Sequence, residues 1–208
     1  MAKQSRSENT RLHLVRSAAV LFDRNGFAGA TLEDVSRSAG VTKGAFYFHF
    51  SSKDELGGAI QAEACALLRS AVYRLVNGEA PALQAMVDLS HELAGWLEDE
   101  PIVRASFRTA REIGHRGGPF LDIYSDWLSS VETLLVTAEE NGELRKGVDV
   151  RHAATMVLTV CAGVEMVWWA GVRQGSIRDT LAGLWELMLP GIARSSLVSE
   201  LIPAGSAG

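Results

Sequence analysis

Cysteine is nearly absent from this chain. Cys65 and Cys161 are the only two in 208 residues, far apart and in apolar helical surroundings. That excludes a disulfide framework and a cysteine-rich metal cluster, and reads as two buried, reduced thiols. Proline is scarce too, at five residues, so long helices meet few breakers. No run of alternating β-branched residues is bounded by hairpin turns, which argues against a sheet. There is no GxSxG elbow, no phosphate-cradling glycine loop and no HExxH pair. The histidines (His13, His49, His91, His115, His152) are scattered, and His91-Glu92 reads as a solvated helix pair. No enzyme, metal site or cofactor is expected from such a set. The first seventeen residues are mostly charged and polar. They do not form a secretory signal, and with reduced thiols this points to the cytoplasm.

An excess of positive charge is also lacking, since the formal net charge is −5. Its distribution is more informative than its sum. Residues 1–56 hold eight Lys and Arg against six Asp and Glu, a balance of +2, which leaves −7 for the remainder. A mildly basic head on an acidic body directs the head towards phosphates. One apolar stretch, residues 153–172, approaches the length of a membrane span. It contains Glu165, an acid costing roughly 2.5–3.5 kcal/mol in a bilayer. Burial between subunits accounts for the stretch better than a membrane does.

What the chain does contain is helical periodicity throughout, so the fold class is all-α. A first helix is expected from about Ser7 to Asn25, with Leu12, Val15, Ala18, Ala19 and Phe22 on one apolar face and Gly26 as its stop. Thr31 caps a short second helix whose first turn carries Glu33 and Asp34, favourable to the helix dipole. Its buried side is Leu32, Val35 and Ala39. Gly40 ends it, and Thr42 caps a third helix almost at once. Two short helices across so tight a turn cross steeply, which is the helix-turn-helix arrangement. Ser52-Lys53-Asp54-Glu55 fits a capping box opening a long fourth helix to about Asn77. Further helices are expected over 82–98, 102–113, 120–141, 150–174 and 177–195, with Pro190 kinking or ending the last. The expected domains are a helix-turn-helix head over 1–52, a helical body over 53–202 and a disordered tail over 203–208.

On the third helix, Phe46 and Phe50 share one face and are assigned to the core of the head. Lys43 and Tyr47 share another, with Gly44 and Phe48 beside it. A cation, a phenol and a ring facing water are unfavourable unless a partner covers them. DNA is a suitable partner. Lys43 reaches a phosphate or a guanine edge, Tyr47 donates to a phosphate, Gly44 admits the backbone, Phe48 meets a thymine methyl and His49 bonds to phosphate. Thr42 and Lys53 lie at helix starts, where backbone N–H groups favour phosphate. The bland alternative is that Tyr47 and Phe48 are simply core.

These residues carry a resemblance. Ala18-Ala19, Leu21-Phe22, Gly26-Phe27, Thr31 to Val35, Ala39-Gly40-Val41, Gly44 to Phe50 and Lys53 to Leu56 make residues 11–56 similar to the N-terminal domain of the TetR family of repressors. The resemblance implies a homodimer that reads a near-palindromic operator in double-stranded DNA. Such proteins release it when a small molecule enters the larger domain. The phrase VTKGAFYFHFSSKDEL, with Pro119-Phe120 and Trp127, further resembles the γ-butyrolactone autoregulator receptors of Streptomyces, in which a tryptophan at the matching place lines the signal pocket. That subgroup implies control of antibiotic or other secondary-metabolite genes by a butyrolactone, furan or butenolide. A multidrug- or antibiotic-sensing repressor of the same fold is the alternative.

Trp127 lies at helical spacing with Ile123, Val131 and Leu134, and reads either as core or as a pocket wall. Candidate co-lining residues are Leu68, Val72, Leu93, Trp96 and Phe107. Glu165 is costly in an apolar helix unless paired or protonated. It accepts a hydrogen bond from a ligand hydroxyl, pairs with Arg173 of the partner subunit, or faces solvent. Thr155 and Thr159 are weaker candidates, as residues that bond back to their own helix. Val157, Val164, Val167, Trp168, Leu181, Leu184, Trp185 and Met188 exceed what a monomer surface exposes. Packing the last two helices against a second copy as a four-helix bundle covers them.

Overall fold

The computed structural model describes residues 2–113, 122–172 and 175–206, with side chains from Ser7 onward. Pro119, Phe120 and Arg173 lie outside the described residues. Among the described residues ten helices follow one another: α1 Ala2–Gly29, α2 Leu32–Ser38, α3 Lys43–His49, α4 Lys53–Val76, α5 Ala82–Asp99, α6 Pro101–Ile113, α7 Asp122–Glu140, α8 Val150–Trp169, α9 Ile177–Ile192 and α10 Ser195–Val198. An isolated bridge between Leu144 and Ala193 is the β-type pairing among the described residues. The chain divides into two compact units, Met1–Leu67 with Asp99–Ile123 and Leu68–Glu98 with Tyr124–Gly208. Helix α4 begins in the first and ends in the second.

In the first unit Val15, Ala18, Ala19 and Phe22 of the expected α1 face pack with Val35, Phe46, Phe50, Leu56 and Ile60, but Leu14 joins them in place of Leu12, which is only half-buried. The same cluster takes in Ala105 and Ile113 of α6. Helix α6 thus packs along α1 and shares one compact unit with the expected 1–52 head. A polar joint reinforces this. Arg104 Nε lies 2.8 Å from the Asp23 carboxylate, and Arg108 donates to the Asp23 carbonyl and to Glu112 at 2.9 Å. Glu112 in turn accepts the Phe27 N–H at 2.8 Å.

Gly26 breaks α1 as expected, with φ 77° and ψ 164°, but one more turn follows to Gly29. A side chain at 26 is excluded twice, since a Cβ there would collide with the Glu112 carboxylate, whose Oε1 is held by Arg108 and whose Oε2 is held by the Phe27 N–H. Gly26→Ala is expected to cost about 1–3 kcal/mol for the backbone alone, read as a lower urea midpoint at unchanged slope.

Local capping follows the sequence closely. Thr31 accepts the Asp34 N–H at 3.1 Å, Thr42 the Ala45 N–H at 3.2 Å and Ser52 the Glu55 N–H at 3.1 Å. The return half of the last box shifts by one residue, with Glu55 accepting both the N–H and the hydroxyl of Ser51 at 2.7 Å. Those bonds hold the Glu55 carboxyl below its usual range.

In the second unit a buried carboxylate does what no local cap could. Glu143, in the α7–α8 loop, accepts the Ala82 N–H at 3.0 Å and the Leu83 N–H at 2.9 Å. It thus caps α5, where the helix dipole also favours an anion. Glu143→Ala strands two buried donors and is expected to destabilise the fold by about 3 kcal/mol. Glu143→Gln, which keeps one acceptor, should recover roughly half of the lost thermal midpoint.

The core of this unit is reinforced by the Trp185 indole donating to Ser90 at 2.7 Å. Both cysteines are buried and outside any disulfide, and burial pushes the Cys161 thiol up to about 12. Two expectations need correction. His91 is not a solvated partner of Glu92: it is 4% exposed with Nε2 on the Pro203 carbonyl at 2.9 Å, while Glu92 pairs with Arg74 at 2.6 Å. The tail is ordered to Ser206, whose N–H donates to Asp88 at 2.7 Å. Pro190 sits inside the last turn of α9, which runs two residues further to Ile192.

Helix α8 is long and apolar enough, by length and composition, to cross a membrane. It packs against α9, with Ala153, Val157, Cys161 and Val164 buried.

Candidate nucleic-acid interface

The turn between α2 and α3 is built by the backbone. Gly40 has φ 62°, its N–H bonds to Arg37 O at 3.1 Å, and the Val41 N–H bonds to Ser36 O at 3.0 Å. That pair of bonds closes α2 in a Schellman turn and requires glycine for its conformation. Helix α3 starts two residues later with two distinct faces. Phe46 and Phe50 are fully buried, whereas Tyr47 is 49% and Phe48 79% exposed. Thr42, Lys43 and Gly44 are exposed and His49 is half-buried.

The exposed aromatics are held edge-on, Tyr47 against Phe46 at 5.5 Å and Phe48 against His49 at 5.1 Å. A Cβ at Gly44 would meet only Thr42 Oγ1 at 4.0 Å. Packing does not demand glycine there, and the space over the helix start is open. A shallow groove beside α3 is lined by Glu33, Ser36, Arg37, Lys43 and Tyr47 among others.

Lys53 stands apart from this set. Its ammonium lies 3.3 Å from the Ala28 carbonyl and 4.7 Å from the centre of the Phe27 ring. Burial lowers its pKa, opposed by Asp54 and Glu112. It ties the start of α4 to the end of α1. Two cations that the sequence reading passed over lie near α3. Arg37 is held by Asp34 at 3.1 Å and Glu33 at 3.4 Å, and Arg11 covers the Phe50 ring at 4.9 Å. Acids three and four residues before Arg37 were a legible sign of the first.

The candidate ligand residues divide between the units. Leu68, Leu93, Trp127 and Val131 are buried in the second unit, with Val72 and Trp96 half-buried there. Phe107 and Ile123 are buried in the first. Glu165 is 4% exposed, which removes the solvent-facing alternative. Thr155 and Thr159 do bond back, to Arg151 O at 2.9 Å and Thr155 O at 2.7 Å.

The informative feature is one that periodicity cannot reveal. The Trp127 indole N–H is buried without an acceptor, and in the first unit Gln61 Oε1 and Thr109 Oγ1 are buried without partners. The other end of Gln61 donates to Ser106 O at 2.9 Å. Buried polar atoms of this kind normally find a partner, so each marks a place for a polar ligand atom or a water.

The apolar face of α8 and α9 is only partly the one expected. Val157, Val164, Leu181 and Trp185 are buried within the chain itself. Exposed apolar residues on and beside these helices include Met166, Trp169, Val172 and Leu187, at 53–79%. Beside them runs an apolar groove lined by Val160, Val167, Trp168 and Leu184.

Three comparisons match this architecture to known proteins. A family model described as bacterial regulatory proteins, tetR family, matches residues 14–60. The A-factor receptor protein of Streptomyces griseus is 31% identical over 205 residues, covering 99% of this chain and 71% of that one. A solved γ-butyrolactone receptor, an ArpA-like protein, superposes with a TM-score of 0.79 at 26% identity, covering 96% of each chain. A structure solved for the control of antibiotic production by bacterial hormones gives 0.82 at 30% identity, covering 89% of this chain and 98% of that one.

Proposed function

Because this chain belongs to the TetR family of bacterial regulatory proteins, we propose that it is a dimeric repressor released from its operator by a butyrolactone-type signal. The observation that carries the DNA reading is the two-faced α3. Phe46 and Phe50 anchor the helix, and Thr42, Lys43, Gly44, Tyr47, Phe48 and the edge of His49 meet DNA. Lys43 and Tyr47 contact phosphate or base edges, and Phe48 a thymine methyl. Dimerisation through Met166, Trp169, Leu187 and the neighbouring groove covers apolar surface. It also sets two α3 helices about 34–36 Å apart or a multiple of that.

The ligand sits against Trp127, Leu68, Val72, Leu93, Trp96 and Val131 of the second unit. Its carbonyl accepts the unpaired Trp127 N–H, as a lactone, furan carboxylate or butenolide would. Glu165 either accepts from a ligand hydroxyl or belongs to the subunit interface. Release is a population shift. Helix α4 is continuous over 24 residues, about 36 Å at 1.5 Å per residue, so a displacement at its body end reaches the head. Only a ligand that favours the displaced state does this. By the likeness to receptors of bacterial hormones, the controlled genes are those of antibiotic or other secondary metabolism, and the protein works in the cytoplasm.

The test is a gel shift with DNA upstream of the protein's own gene and with a random-sequence selection, with and without γ-butyrolactones, furans and butenolides. A salt-sensitive band dissolved by one of these classes is the expected result. A band indifferent to all of them moves the ligand to antibiotics or drugs. No band from the selection overturns the DNA reading.

A further inference from the structure

Helix α5 carries a polar stripe where a core helix should have none. Gln84, Asp88 and His91 lie at i, i+4 and i+7, on one face, and Gln84 and His91 are each 4% exposed. Their partners come from the segment after α10. The Gln84 amide pairs in both directions with the backbone of Ile202, accepting its N–H at 2.7 Å and donating to its carbonyl at 3.2 Å. Asp88 accepts from Gln84 at 2.8 Å and from the Ser206 N–H at 2.7 Å. His91 Nε2 faces the Pro203 carbonyl at 2.9 Å. A carbonyl only accepts, so this nitrogen carries the proton.

The segment is shaped for that seat. Gly205 has φ 82°, and a Cβ there would come within 3.1–3.2 Å of the His91 ring. Its N–H closes a turn on Ile202 O at 3.0 Å. Side chains play little part in the recognition: α5 reads the backbone of 202–206.

We propose that residues 202–206 are a releasable strap, which locks α5 by partnering Gln84, Asp88 and the Nε2 edge of His91, whose Nδ1 is buried without a partner. A buried amide and imidazole left without partners are costly. Helix α5 therefore shifts only when the strap lifts and water replaces it. The strap stands independently of the ligand reading. Its link to the sensor rests on that reading, because α5 also carries Leu93 and Trp96.

Hydrogen exchange without any ligand tests the strap alone, comparing the full chain with a chain ending at Leu201 and with full-length Gly205→Val. The expected result is exchange of the α5 amides from Ala85 to Leu93 accelerated at least about tenfold in both variants. The amides of α3 and those around Trp185 should stay unchanged. Unaltered α5 exchange in either variant overturns the proposal, and so does acceleration spread evenly over the unit. A supported strap whose variants respond to butyrolactones at the same concentration as the parent separates it from the ligand reading.

Discussion

Lys43→Glu is expected to abolish the operator band, and Lys43→Ala to weaken it about tenfold or more while leaving the fold intact. Lys43 is the first residue of α3 and is exposed, so its loss removes no core packing. The helix start is already capped by Thr42. A base-edge contact is worth about 1–3 kcal/mol. If Lys43 holds a phosphate instead, the slope of log affinity against log salt falls by about one for the alanine variant, uniformly across operator sequences. Glutamate goes further, setting an anion against the phosphate backbone. Phe48→Ala supplies the contrast. The ring is 79% exposed, so stability should move by less than about 0.5 kcal/mol while discrimination at a thymine is lost. Unaltered affinity in Lys43→Glu, in a protein with parental circular dichroism, would remove α3 from the interface.

Trp127→Phe separates sensing from folding. Trp127 is 2% exposed with an orphaned N–H. Phenylalanine keeps an aromatic ring in the core but has no donor. The variant should bind operator as the parent does, yet need roughly ten- to a hundredfold more signal for release, the loss of one hydrogen bond of about 1–3 kcal/mol. Trp127→Ala is less informative, because emptying this site costs about 3–5 kcal/mol in stability. A phenylalanine variant released at the parental concentration would show that the ligand does not use the indole N–H. Direct calorimetry on the same variant distinguishes weaker binding from a changed population of the two states.

The parts of this protein that its sequence determined are those governed by neighbours three to five residues away. Thr31, Thr42 and Ser52 as caps, Gly40 as the closing residue of α2, and the division of α3 into Phe46 and Phe50 inside against Lys43 and Tyr47 outside all follow from helical geometry acting on adjacent residues. That local logic also carried the likeness to a DNA-binding family, because a helix-turn-helix is a local device.

Tertiary structure alone decided the contacts between residues 60 or more positions apart. Glu143 caps a helix that starts 61 residues earlier. Arg104 and Arg108 bring α6 onto Asp23, 81 and 85 positions away, in one compact unit with the head. His91, placed in solvent by its charged neighbour, is buried under Pro203, 112 residues on. Periodicity tells which face of a helix is buried but not what it is buried against. A polar residue on such a face gains its meaning only when packing supplies its partner, as at Gln84, or withholds one, as at Trp127.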